Sequence, residues 1–248
     1  MEYGNLDANV QIDAHQTPTK VKAKASATNV IFSDADIFGD DIAKLPRHGI
    51  VTQLEGRGDS LSALAGSATG YFWLTGGNGV IPTGKLQLLL GDLLTQIIET
   101  VNPFAKKDKY APVACDAMYL EAKDGIIETA PAMILQTDRL SIVAAGEVDL
   151  KTEKINIGFR TTPLKGIGIS ASDVLNPLVK LGGTLDKPAL VLDPTRTAIQ
   201  GSAAFMTMGA SLFATSMWNR WITSKDACTR MGKEATKIRQ KIDPDNVP

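Results

Sequence analysis

Cysteine and histidine are scarce, two of each in 248 residues, and the scarcity removes whole classes of chemistry. Cys115 and Cys228 stand far apart, and neither belongs to a Cys-x-x-Cys or Cys/His spacing. A zinc site therefore lacks ligands, and no metal is expected. The residues leave two readings of the pair open. They are two unpaired, half-buried thiols, or, in an oxidising compartment, a long-range disulfide tying the last helix to the sheet. His15 lies beside a turn and His48 follows a proline, neither with an evident nucleophile or metal partner.

A surplus of either charge is missing too. Twenty-six basic and 27 acidic side chains leave a formal charge of -1, mixed along the chain. No field exists to recruit a polyanion, so nucleic acid is not an expected partner. There is no G-x-S-x-G elbow, no H-E-x-x-H helix and no dinucleotide fingerprint. The nearest imitation of a catalytic motif runs from Gly79 to Lys85, which fits G-x-x-x-x-G-K. It fails at Leu86, where a magnesium-binding hydroxyl belongs, and at Pro82, which has no amide to give to a phosphate. No nucleotide, no cofactor and no enzymatic activity are expected. Met1 is followed by Glu2 and a strand-like alternation instead of a basic segment and apolar core, so no signal peptide is expected.

What the chain does have is period-two alternation. With 44% hydrophobic and 21% charged residues it has the composition of an ordinary folded protein. Arg139 to Pro163 reads as one long β-hairpin. Leu140, Ile142, Ala144, Val148 and Leu150 fall on one face of the first arm, and Ser141, Glu147 and Asp149 on the other. The arm reverses at residues 151–154, and Ile155, Ile157 and Phe159 continue the apolar face. Upstream, Leu6, Ala8, Val10 and Ile12 alternate with polar residues, and Val21, Ala23 and Ala25 alternate with lysines. Further strands are expected over Ile50–Glu55, Gly70–Leu74, Val113–Ala122, Ile126–Gln136, Gly166–Ser170 and Leu190–Leu192. Asp124-Gly125 is a hairpin turn, and Pro131 marks an edge or a bulge. The sum is an antiparallel meander of about eight or nine strands.

Helices are fewer. Residues 33–45 are expected to form a short helical piece, and Ser60 or Asp59 caps a second one ending at Gly66. Asp59 also completes an Arg57-Gly58-Asp59 triplet, a receptor-recognition motif in other settings, but three residues match by chance and a turn with a cap is the simpler account. Leu86 to Val101 carries a wide apolar stripe at helical spacing, which must pack on something. A helix from Ser172 or Asp173 through Val179 is expected to close at Gly182-Gly183. Residues 199–219 contain no charge and are long enough to span a bilayer, yet polar side chains dilute them, so a docked helix is the preferred reading. Lys225 to Lys241 is a mixed-charge terminal helix. The fold expected is α+β. Residues 1–195 form a long, curved, mainly antiparallel sheet, a groove with a few helices at its apolar face. Residues 196–248 form a helical C-terminal tail.

Three segments read together resemble the C-terminal region of the AsmA-like family of bacterial envelope proteins. One is Leu54-Glu-Gly-Arg-Gly-Asp-Ser-Leu-Ser-Ala-Leu through Gly70. Another is Cys115 to Gly125, a strand with a Cys near its start and an Asp-Gly turn at its end. The third pairs Gly146-Glu-Val-Asp-Leu-Lys-Thr-Glu-Lys-Ile-Asn-Ile with Leu181-Gly-Gly-Thr-Leu-Asp-Lys-Pro. The resemblance covers most of residues 50–195. It implies a periplasmic, inner-membrane-associated protein whose β-groove serves outer-membrane assembly and phospholipid transport, with phospholipid and envelope-assembly proteins as partners. It also implies a Cys115–Cys228 disulfide. The chain departs from the family in showing no N-terminal membrane helix. On this reading the lipid-contacting candidates are Leu140, Ile142, Val148, Leu150, Ile155, Ile157 and Phe159. The rival is a structural or assembly module whose sheet is fully covered by its own helices.

Overall fold

The computed structural model describes residues 4–31, 44–82, 110–128, 133–138, 140–163, 179–192 and 227–242. Within them the alternating segments join into one antiparallel sheet. Its strands are β1 (Asn5–Asp13), β2 (Lys20–Val30), β3 (His48–Arg57), β4 (Thr69–Gly76), β5 (Gly79–Pro82), β6 (Tyr110–Lys123), β7 (Ile126–Glu128), β8 (Met133–Thr137), β9 (Leu140–Asp149), β10 (Lys154–Pro163), β11 (Val179–Gly183) and β12 (Pro188–Leu192). The order across the sheet is β1-β2-β3-β4-β6-β7-β9-β10-β11-β12, with β5 beside β6 and β8 between β6 and β9.

The expectation of a mainly antiparallel sheet with few helices holds, but twelve strands replace eight or nine. One reason is that the arm read as continuous from Ile126 to Gln136 contains two strands. Both β7 and β8 pair with β6 on one side and β9 on the other. A second correction concerns Gly182 and Gly183, which do not close a helix. They end β11, paired with Ala189 and Pro188 of β12. Gly183, at φ 84, turns the chain, a conformation glycine adopts as readily in a hairpin as at a helix end.

Two helices are described, α1 (Leu61–Gly66) and α2 (Ala227–Ile242). The Ser60 hydroxyl caps α1 by accepting from the Ala63 amide at 3.1 Å. The Arg57-Gly58-Asp59 triplet belongs to the same corner. Gly58 donates its amide to the Thr19 carbonyl at 2.9 Å, and the Asp59 carboxylate accepts from the Thr19 amide at 3.0 Å. Its acid is used to fasten β2 to the β3–α1 turn. Asp124 and Gly125, at φ 49 and 80, form the expected hairpin turn, and Gly125 donates to the Ala68 carbonyl at 2.9 Å. The helical pieces expected at 33–45, 86–101 and 172–178, the strand at 166–170 and the uncharged segment 199–219 lie outside the described residues, apart from Lys44 and Leu45.

Residues directly opposite in antiparallel strands share a face, so the registers divide the sheet into two faces. On one, Tyr71, Ala117, Tyr119, Ile134, Val143 and Ala145 form the core with Met231 of α2, and Val51, Trp73 and Cys228 pack against it. A disulfide joins Cys228 to Cys115 of β6, as the resemblance implies. This corrects the sequence reading in two ways. The alternation places Ser141 on a wet face, yet it is fully buried along with Val143, because α2 and the aromatic residues cover that part of the sheet. For the same reason α2 does not roof the groove candidates; it packs on the opposite face.

Gly70 shows how closely β3 and β4 approach. It sits at φ 143, and a Cβ there would strike the Gln53 carbonyl oxygen. Gly70→Ala is therefore expected to destabilise the chain by about 2 kcal/mol or more, combining an unfavourable backbone region with displacement of the neighbouring strand. Thermal unfolding of the variant measures the loss.

Candidate functional site

The second face carries an apolar row that runs at right angles to the strands. Leu6 lies opposite Ala27, Ala27 opposite Ile50, Ile50 opposite Leu74 and Leu74 opposite Met118. Met118 then faces Met133, Met133 faces Ala144, and Ala144 faces Phe159. From Phe159 the register carries the row to positions Val179 and Leu192. A parallel row links Val10, Ala23, Leu54, Gly70 and Ala122, then Ile127, Val148 and Ile155. Neither row contains a charged or polar side chain. Strands lie ~4.8 Å apart, so the eight strands from Leu6 to Phe159 span roughly 34 Å. That is about twice the ~15 Å hydrocarbon depth of one bilayer leaflet.

Most of the lipid-contacting candidates fall on this face. Ile142, Val148, Ile155, Ile157 and Phe159 share it, and Leu140 stands at a register position of the same parity, opposite Pro163. Leu150 does not belong with them. β9 ends at Asp149, and Leu150 is the first residue of the turn, its amide donated to the Gly125 carbonyl at 2.9 Å. The turn forms because the Asp149 carboxylate accepts from the Thr152 hydroxyl at 2.8 Å and the Lys151 amide at 2.8 Å. Those bonds, the hydroxyl first, hold the Asp149 carboxyl below its ordinary value. Asp149 is thus a turn-closing residue.

Solvent access varies along the face. Ile142, Ala144, Ala27 and Ala122 are buried, whereas Leu6, Val10 and Ile12 of β1 are 74%, 61% and 67% exposed and Leu54 is exposed as well. At one border the rows give way to a polar pair, with His48 Nε2 3.3 Å from Asp116 Oδ1. Other charges of this region sort to the far face. There Lys20 and Lys22 meet Glu55 at 2.7 and 3.4 Å, and the bond from Lys20, above all, holds the Glu55 carboxyl below its ordinary value.

Among the described residues nothing else gathers chemistry-bearing groups. Among the described residues no three His, Cys, Asp or Glu side chains cluster as metal ligands, and no helix is long and apolar enough to cross a membrane. Gly79 to Pro82, the start of the phosphate-loop imitation, is a strand hydrogen-bonded along β6. Sequence reasoning limited the candidates to the central hairpin and missed Leu6, Ile50, Leu74, Met118 and Met133. Their alternation was visible; the registers that align them were not.

No protein-family model matches the chain, and neither the curated proteins nor the solved structures contain a match to it. The fold and the face therefore define a class, a sheet-dominated antiparallel protein with an apolar face that spans its strands.

Proposed function

We propose that this chain is a non-enzymatic module of a bacterial envelope protein, related to the AsmA-like family, whose apolar sheet face contacts phospholipid acyl chains. In this role it acts in lipid movement between membranes and in outer-membrane assembly. The observation that carries the reading is the unbroken apolar row from Leu6 to Phe159. A row of that length with no polar side chain in it is suited to a hydrocarbon chain lying across the strands, which needs apolar contact and no hydrogen bonds. The Cys115–Cys228 disulfide supports an oxidising compartment such as the periplasm. The sheet is then a curved groove open to lipid.

The test is native mass spectrometry of the purified chain. Phospholipid adducts are expected. Ile157→Asp, which puts a charge on the apolar face, should abolish them, while Asn156→Asp on the opposite face of the same strand should leave them intact. The burial of Ile142 and Ala144 favours a second reading, a structural or assembly scaffold with a covered face. That scaffold would show no adducts in the unaltered chain.

A further inference from the structure

Among the described residues the sheet has one long edge that nothing guards. β1 pairs with β2 alone among the described residues, and Asn5 through Ile12 are exposed. Natural edge strands avoid pairing with other chains by means of proline, lysine, a bulge, an inward-pointing charge or shortness. β1 has none of these. It is nine residues long, its register with β2 is unbroken, and its charges, Asp7 and Asp13, point away from the apolar face. The opposite edge differs, since β12 is five residues long and begins at Pro188.

We propose that β1 is a self-docking edge, pairing antiparallel with β1 of a second copy about a two-fold axis through Asn9. The sequence of the strand is complementary to itself in this register. Leu6 meets Ile12 of the second copy and Ala8 meets Val10, so the apolar faces stay on one side. Asp7 meets Gln11 and Asn5 meets Asp13, so no two carboxylates stand directly opposite. Shifting the register two residues one way puts Asp7 opposite Asp13, a like-charge pair that destabilises a sheet. Shifting it two the other way leaves Asp13 without a partner in β1 and shortens the pairing. A one-residue slip turns apolar side chains to the wet face. The pairing would make the apolar rows of the two copies continuous. It does not depend on what those rows bind.

An edge pairing of this length lies at the small end of specific interfaces, so the association is weak, in the micromolar range. Both native cysteines are held in the disulfide, so one introduced cysteine gives a single free thiol. On the axis, Asn9→Cys brings two Cα atoms to ~4.5–5.5 Å, within the reach of a disulfide. Asn5→Cys leaves its two copies roughly 27 Å apart along the strands. Under mild oxidation of the full chain, Asn9→Cys should form covalent dimer at least about tenfold faster than Asn5→Cys. Sedimentation velocity of the unaltered chain should show a concentration-dependent dimer that Val10→Lys, at a position already exposed, removes. A chain that stays monomeric through the micromolar range overturns the proposal. So do equal cross-linking of the two cysteine variants and a dimer that persists in Val10→Lys.

Discussion

Replacing Cys228 with serine is expected to lower the unfolding free energy by about 4 kcal/mol and the midpoint of thermal unfolding by about 10 °C. The bond joins residues 113 apart in sequence, and in the chain-entropy account a closed loop of that size restricts the unfolded chain more than a short one does. The folded side of the balance points the same way. α2 touches β4, β6 and β8, and of its described side chains only Met231 is fully buried. Met231 and the disulfide are the attachments to the sheet core that the described side chains of the helix show. Cys115→Ser, Cys228→Ser and the double variant should unfold at the same denaturant concentration, since each removes the same bond. A Cys228→Ser chain as stable as the parent would show that α2 docks on its own.

How much of this was legible in the residues follows from which interactions are local. Strand alternation is a property of successive side chains. The edges of β1, β3 and β10 and the Asp124-Gly125 turn accordingly came out within a few residues of their observed places. The Ser60 cap was equally local, since the hydroxyl reaches only three residues ahead. Long-range consequences were not readable. Ser141 looks like a solvent-side residue because a small polar side chain carries no burial signal of its own. It is buried because the aromatic core and a helix beginning more than eighty residues later in the chain, bonded to Cys115, cover that face. The hairpin by itself predicts an oily face and a wet face, whereas residues 141–145 of its first strand are buried on both. The apolar row needed still more, the registers of eight strands at once. A one-residue slip at any of them would have broken it.

Tyr119 joins those long-range effects in one side chain, and two substitutions there are expected to act in opposite directions. The ring is fully buried, 6.0 Å from Trp73 and 6.5 Å from Tyr71 between centroids, distances at which aromatic rings attract. Tyr119→Ala should cost about 3–5 kcal/mol, the transfer of the ring plus the cavity it leaves between α2 and the sheet. Tyr119→Phe keeps the ring and removes a hydroxyl that meets no hydrogen-bond partner among the described residues. With no protein hydrogen bond to lose there, its removal should be neutral or stabilising by about 1 kcal/mol. A pH series separates this from a simple packing effect. Burial first, and then the nearby Glu121 charge and Tyr71, raise the Tyr119 hydroxyl pKa well above its ordinary value. The folded state therefore keeps a proton that the unfolded chain releases near pH ~10. Its contribution to stability is complete below that pH and declines as the pH rises beyond it. The parent chain should lose stability above pH ~10 more steeply than Tyr119→Phe, measured by denaturant unfolding at successive pH values. Parallel curves would place the hydroxyl in contact with water and remove the reason for expecting Tyr119→Phe to be harmless.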